Sequence, residues 1–244
     1  MWKAKLLVSI LVSFLIMQPK VDPLARVRDA AATGKIPSAI MKKLEDKSEG
    51  LSEAVSKVEK ASGLAYPPYY IQPVLILVKS SLEVGETGVY YARNVPVALN
   101  NRLHLLVEFT APLVLYASKK TLQGVVAHEF THYLELVRRF ADQPFSSATA
   151  TTMFEATYKD MEEAMPAYKI FGRHKSLIRM VETMFENGFN DATLNDKTVR
   201  NWFEKKLPYV VVRPDENFVR MPVEAIVNAE FDPAVLRKIR EIGE

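Results

Sequence analysis

The stretch 125–134 limits the fold of this chain more than any other part of its sequence. It reads VVAHEFTHYL, an apolar run that carries His128, Glu129 and His132. Residues four apart lie on one face of an α-helix, so a helix here aims both imidazoles at one point. Phe130, Thr131 and the three residues before His128 are uncharged, which is not typical of a solvent-facing helix. We therefore predict a largely buried helix that presents two histidines side by side.

The chemistry of these three side chains predicts a zinc site. Two neutral imidazoles at this spacing suit a zinc ion. Glu129 lies one position round the helix, where its carboxylate reaches a metal-bound water rather than the metal. Half of the chain's histidines belong to this motif, since the others are only His104 and His174. The motif predicts that His128 and His132 bind Zn²⁺ and that Glu129 is the general base of a peptide hydrolysis.

The motif and its uncharged flanks resemble the active-site helix of the zincin metallopeptidases. In that family the two histidines bind zinc, and the glutamate between them polarises the attacking water and shuttles its proton. The resemblance implies these roles for His128, His132 and Glu129. It also implies a twisted sheet ahead of the helix, with an edge strand beside the cleft that pairs with an extended substrate backbone.

The residues after the motif distinguish two branches of the zincins. The metzincin pattern needs a glycine at position 135 and a third histidine at position 138, where this chain has Glu135 and Arg138. The chain therefore resembles the other large branch, the gluzincins, which take their third ligand from a glutamate on a following helix. Residues 152–171 offer such a helix, and Pro166 predicts a kink or a break in it because proline removes a backbone donor.

Glu163 is the predicted third zinc ligand. At helical spacing it shares a face with Ala156, Ala167 and Ile170, and the two alanines would let this helix approach the motif helix closely. Glu162 lies on a more polar stripe of the same helix. The resemblance agrees with this choice, because ligand glutamates of gluzincins are often followed closely by an alanine.

Several alternatives stay open at this point. Glu155, Glu162 and His174 are other candidates for the third ligand, and the alternative for both Glu162 and Glu163 is a solvated helix surface. An oxyanion stabiliser is also expected, and the sequence does not separate Tyr158, Tyr168 and His174 for that role.

The apolar runs elsewhere predict an α+β fold. Four runs rich in β-branched and aromatic residues precede the motif helix and predict strands at 74–78, 89–91, 103–107 and 113–116. Ser118 then opens the motif helix. Helical spacing predicts short helices over 24–62, with breaks at 34–37 and 49–50, and further helices after 172, with a short strand at 209–212. The predicted fold class is zincin-like: a small twisted sheet, the active-site helix and a mainly helical C-terminal part.

Residues 1–20 predict an export signal or a membrane anchor. Lys3 and Lys5 precede the twelve apolar or small residues 6–17, a layout that favours a cytoplasmic N-terminus with the rest of the chain outside. No small-x-small cleavage site follows, so uncleaved anchoring is favoured over release; a buried N-terminal helix is the alternative. The predicted organisation is an anchor at 1–20, a helical stalk or subdomain at 21–65, and a catalytic domain at 66–244.

Composition narrows the classes of function. The net charge is only +3 and no basic cluster is interleaved with aromatics, so we expect no nucleic-acid partner. The sequence contains no cysteine, which excludes disulfides and thiol catalysis. The expected partners are a peptide or protein substrate and a membrane, and the sequence does not indicate an oligomeric state.

Two other hypotheses compete with the enzyme. One is a zinc-stabilised scaffold or binding protein of zincin fold at the membrane, which no longer turns over substrate. Retention of Glu129, which binds no metal in this scheme, argues against it. The other makes residues 120–140 an ordinary amphipathic helix that binds no metal.

Alkaline phosphatase fused after residue 30 tests the predicted export. We expect an active reporter, because this enzyme needs disulfides that form outside the reducing cytoplasm. The same fusion without residues 1–20 is the control and should be inactive. An inactive reporter on the full segment would contradict the export prediction.

Overall fold

A computed structural model describes residues 21–79, 87–142, 163–186, 188–189, 191–212 and 221–243. These residues form nine α-helices, one π-helical turn and two three-stranded sheets. The mixed α+β class predicted from the sequence is therefore confirmed. The predicted signal or anchor at 1–20 lies outside the described residues.

Two helices open the described part of the chain. α1 spans Ala25–Ala32 and α2 spans Ser38–Ser62. The predicted break between them is present and contains Gly34, whose φ of 70° suits glycine. The second predicted break, at 49–50, is wrong because α2 runs through it without interruption.

The continuity of α2 follows from its apolar stripe. Leu44, Leu51 and Val58 recur every seven residues and are almost completely buried. Their burial outweighs the roughly 1 kcal/mol by which a glycine weakens a helix interior. α2 packs along the motif helix, so the burial of this stripe helps to hold the motif helix in place.

The six described strands have the following bounds: β1 Tyr69–Gln72, β2 Leu75–Lys79, β3 Thr87–Tyr90, β4 Ala92–Leu99, β5 Arg102–Thr110 and β6 Tyr209–Val212. One sheet has the order β1-β5-β4, with β1 parallel and β4 antiparallel to β5. The other has the order β3-β2-β6, with β3 antiparallel and β6 parallel to β2. The strand predicted at 209–212 is thereby confirmed.

A buried carboxylate joins the first sheet to α1. Glu108 of β5 accepts hydrogen bonds from Arg26 of α1 at 2.6 Å, from Arg93 of β4 at 2.9 Å and from Gln72 of β1. Charge-assisted bonds of this kind also meet the hydrogen-bonding needs of a carboxylate that has left water. They hold β4, the strand nearest the motif helix, in its place in the sheet.

The motif helix, α4, spans Lys119–Asp142 and follows a short helix, α3, at Ala111–Tyr116. The strand predicted at 113–116 is therefore wrong. A short apolar run does not distinguish a strand from a buried helix, and Pro112 in the first turn favours the helix. Ser118 opens α4 as predicted, because its Oγ accepts a hydrogen bond from the Thr121 amide at 3.0 Å.

The C-terminal part is mainly helical, as predicted. Its helices are α5 Ala167–Phe171, α6 Lys175–Phe185, α7 Ala192–Thr198, α8 Val223–Val227 and α9 Pro233–Gly243, and a π-helical turn at Val199–Phe203 follows α7. Of the helix predicted at 152–171, residues 152–162 lie outside the described part. Residues 163–166 have no regular secondary structure, and Pro166 marks a break directly before α5.

The two N-terminal helices, the first sheet, α4 and α6 contribute to one hydrophobic core. The predicted domain boundary near residue 65 remains a prediction. Among the described helices, none combines the length and the apolar character needed to cross a membrane.

Replacement of Leu51 by alanine tests the contribution of α2 to this core. Leu51 is 1 % exposed, so we expect Leu51→Ala to lower the free energy of unfolding by about 2–5 kcal/mol. Leu99→Ala is the matched control, because that side chain is 47 % exposed and its loss should cost about 0.5 kcal/mol. Urea unfolding measures both, and equal losses would contradict the placement of α2.

Candidate metal centre

α4 brings the two imidazoles of the motif together. Because His128 and His132 are one helical turn apart, their rings meet edge to face with centroids 4.5 Å apart. The two Nε2 atoms lie 2.9 Å from each other. The same nitrogen of each ring therefore points at a shared position, as the four-residue spacing predicts.

The hydrogen bonds of His132 determine its tautomer. Its Nδ1 lies 3.0 Å from the backbone carbonyl oxygen of Glu163. A carbonyl only accepts, so Nδ1 carries the hydrogen and the neutral ring keeps a lone pair on Nε2. The hydrogen between the two rings consequently belongs to Nε2 of His128. A metal that binds both Nε2 atoms has to displace that hydrogen.

His128 lies in an apolar environment. Its ring stacks on Phe185 of α6, with centroids 3.5 Å apart and planes 8° from parallel. Its Nδ1 is buried, and no described residue gives it a hydrogen bond. Burial and, to a smaller extent, the neighbouring His132 together lower the pKa of His128 to about 3. Burial also lowers the pKa of His132, so both rings are neutral near pH 7, the state that binds a metal.

A glycine allows α6 to approach the site. Gly124 lies one turn before His128, and a Cβ on it would come within 2.5 Å of the Met184 sulfur. Met184 precedes Phe185, so the bare glycine leaves room for the ring that stacks on His128. The Phe189 ring stacks on the Phe185 ring with centroids 5.3 Å apart, and it also meets the Tyr91 ring edge to face.

Glu129 faces the sheet and is held by a buried asparagine. Its side chain is largely buried, and Nδ2 of Asn94 on β4 donates to its Oε2 at 2.9 Å. The same amide lies 3.1 Å from the Glu129 carbonyl oxygen. Burial raises the pKa of Glu129 to about 8, although the bond from Asn94 opposes that rise. The carboxyl therefore changes its protonation state near neutral pH.

Asn94 is the site residue that sequence reasoning missed. No strand is predicted between 91 and 103, and asparagine is depleted in strands. β4 buries Ala92, Asn94 and Pro96 on one face while the residues between them are half-buried, an alternation that the folded strand shows and that the residue types alone do not.

Glu163 contacts His132 through its backbone carbonyl oxygen and not through its carboxylate. Its side chain is 70 % exposed, and its Oε2 accepts a hydrogen bond from Nη2 of Arg139 at 2.5 Å. The helical face that suggested a ligand role does not exist at this residue, because residues 163–166 are not helical. This arrangement does not bring the Glu163 carboxylate to the imidazoles, and its role as ligand remains a prediction.

The other candidates are not assembled with the histidine pair. Glu155, Glu162 and Tyr158 lie outside the described residues. His174 is exposed at the start of α6, about 16 Å along that helix from Phe185 at its far end. Tyr168 is 58 % exposed on α5. No contact within the described part places His174 or Tyr168 at the site.

The donor set fits zinc in part. Two neutral imidazoles share a position, and one of them is oriented through Nδ1 by a carbonyl, as is usual for histidine ligands of zinc. Within the described ranges, no group of three or more His, Cys, Asp or Glu side chains is placed to hold a metal ion. His128 and His132 would therefore supply two nitrogen donors to such an ion, and no third ligand is assembled with them among these residues.

No protein-family model, curated protein or solved structure matches this chain. The assignment of function therefore depends on the chemistry of α4 and its surroundings.

The raised pKa of Glu129 predicts a pH-dependent cost to stability. Since the folded-state pKa of about 8 exceeds the ordinary 4.5, folding favours the protonated carboxyl. This contribution is fully present below about pH 4.5 and is lost as the pH rises through about 8. Glu129→Gln stays neutral, so the variant should gain stability over the wild type by on the order of 1 kcal/mol per pH unit in that window.

Urea unfolding of both metal-free proteins, near pH 5 and near pH 8, measures this difference. The histidines titrate in both proteins, so their effect cancels in the comparison. A gap in unfolding free energy that does not change with pH would contradict the burial of an ionisable Glu129.

Proposed function

We propose that this chain is a zinc-dependent metallopeptidase of gluzincin type, tethered to a membrane or exported by residues 1–20. The observation that carries the proposal is the convergence of the His128 and His132 Nε2 atoms, 2.9 Å apart, beside the buried Glu129. A zincin-like arrangement of sheet and helix is part of the same proposal. It is supported by β4, which lies against α4 and supplies Asn94.

His128 and His132 would hold Zn²⁺ through Nε2, with Glu163 or one of its alternatives as the predicted third ligand. A zinc ion bound there would act as a Lewis acid on a peptide carbonyl and lower the pKa of a bound water. The Glu163 carbonyl keeps Nδ1 of His132 protonated and so leaves the Nε2 lone pair available. Phe185 covers the face of His128 and excludes water from it.

Glu129 would move the proton of the reaction. Asn94 holds its Oε2, so Oε1 is the oxygen that takes a proton from the attacking water and returns it to the leaving amine. A pKa of about 8 suits this exchange near neutral pH, because donation and acceptance then cost similar free energies. A scaffold gains nothing from such a carboxyl, since its burial is unfavourable and it binds no metal in this scheme.

The position of β4 supports a peptide as the substrate. β4 ends its sheet among the described strands and contacts α4 next to Glu129. An extended peptide that adds to such a strand through main-chain hydrogen bonds would pass the general base.

Zinc content and peptide hydrolysis together test the proposed function. We expect the detergent-solubilised full chain to hold close to one zinc per molecule by elemental analysis. His128→Ala should lose the zinc because it removes one of two nitrogen ligands, and His104→Ala should keep it because His104 lies on β5, away from the pair.

Glu129→Gln separates the enzyme from the scaffold. Because Glu129 binds no metal in this scheme, the variant should keep its zinc and lose peptide hydrolysis by several orders of magnitude. Zinc without hydrolysis in the wild type would favour the inactive scaffold, and a folded chain without zinc would overturn both zinc hypotheses.

A further inference from the structure

We propose that Arg139 and Glu163 form a clamp that sets the tautomer of His132. The carboxylate of Glu163 is the anchor of this clamp, and its backbone carbonyl is the group that acts on the imidazole. The effect on zinc binding rests on the proposed function, whereas the effect on the tautomer does not.

The helix places Arg139 where it can hold the neighbouring segment. Arg139 lies seven residues after His132, so both side chains leave the same face of α4. Its side chain is 13 % exposed and, among the described residues, it contacts Glu163 Oε2 at 2.5 Å and Glu135 Oε1 at 3.0 Å. Glu135 is itself buried and fixes the guanidinium from the helix side. A guanidinium held in this way binds a second carboxylate with little loss of side-chain freedom.

The segment 163–166 depends on contacts of this kind for its position. It has no regular secondary structure, and Pro166 offers no backbone donor. Among the described residues, its bonds to α4 include the Arg139–Glu163 pair, the bond from His132 Nδ1 to the Glu163 carbonyl, and a bond from the Met165 amide to the Thr131 carbonyl at 3.3 Å, and the Met165 side chain is buried in the core. The ion pair and the imidazole bond both involve Glu163, so loss of the first frees the residue that makes the second.

The tautomer matters because a neutral imidazole has two forms of similar energy in water. Only the form with hydrogen on Nδ1 offers the Nε2 lone pair to the position shared with His128. A carbonyl held at 3.0 Å from Nδ1 selects this form. Arg139 therefore acts on His132 through Glu163 as a positioning residue.

The predicted ligand role of Glu163 makes a different demand on the same side chain. To bind zinc, the Glu163 carboxylate has to break its ion pair with Arg139. If Glu163 is a ligand, its loss removes far more zinc affinity than the loss of Arg139 does. If the clamp operates, the loss of either partner has the same effect and the double variant is no worse than either single variant.

Four variants distinguish these roles: Arg139→Met, Glu163→Gln, the two combined, and Arg138→Met as the matched control. Arg138 also binds Glu135, at 2.5 Å, and lies next to Arg139 on the helix. Zinc affinity is measured by competition with a chelator. The tautomer of His132 is read in the metal-free full chain from ¹⁵N shifts and long-range ¹H–¹⁵N couplings of its ring, and thermal unfolding reports the fold.

The wild type should show His132 protonated on Nδ1. Arg139→Met, Glu163→Gln and the double variant should each show a mixture of tautomers and bind zinc about tenfold more weakly. Arg138→Met should match the wild type in both measurements. Arg139→Lys should recover part of the tautomer preference, because lysine keeps the charge but not the fork of donors.

Unchanged tautomers in both single variants would overturn the clamp, as would a loss of zinc affinity in Glu163→Gln many times that in Arg139→Met. Two results together would overturn the proposed function and leave the clamp established: the wild type binds no zinc, and the variants lose the preference of His132 for the Nδ1 tautomer.

Discussion

The burial of α4 is the constraint on which the rest of this structure depends. The helix carries a buried carboxyl and two half-buried imidazoles, and α2, the first sheet and α6 pack around it. Water no longer stabilises their charged forms, so the pKa values of both histidines fall and that of Glu129 rises. The two imidazoles are thereby held neutral, which is the state in which an imidazole can bind a metal, and Glu129 is held near the midpoint between its charged and neutral forms at neutral pH.

Each buried polar group has consequences for a neighbouring element. The Glu129 carboxyl needs a donor, which Asn94 provides, and this ties the motif helix to β4. His132 needs an acceptor for its Nδ1 hydrogen, which the Glu163 carbonyl provides, and this ties the helix to the segment before α5. The site is thus connected to the sheet on one side and to the C-terminal part on the other. These bonds explain why a strand and a loop far apart in sequence meet at one helix.

Local patterns predicted the elements in which neighbouring residues decide the structure. Ser118 at the start of α4 and the break that contains Gly34 follow from capping and from backbone conformation, which depend on a few adjacent residues. The continuous α2 and the helical 111–116 were missed because tertiary burial outweighed the local signals there. Apolar runs of four or five residues pack equally well as strands or as helices, so the surroundings decide between them.

By itself the sequence determined that His128 and His132 converge, because a spacing of four residues places two side chains on one face of any α-helix. Only the tertiary structure decided what surrounds them. Asn94 reaches Glu129 from a strand 35 residues earlier, and the carboxylate of Glu163 turns to Arg139 while its carbonyl meets His132. These contacts depend on how separate elements pack against α4. Helix and strand periodicity predicts side-chain direction only within regular elements, and the segment that contains Glu163 is irregular.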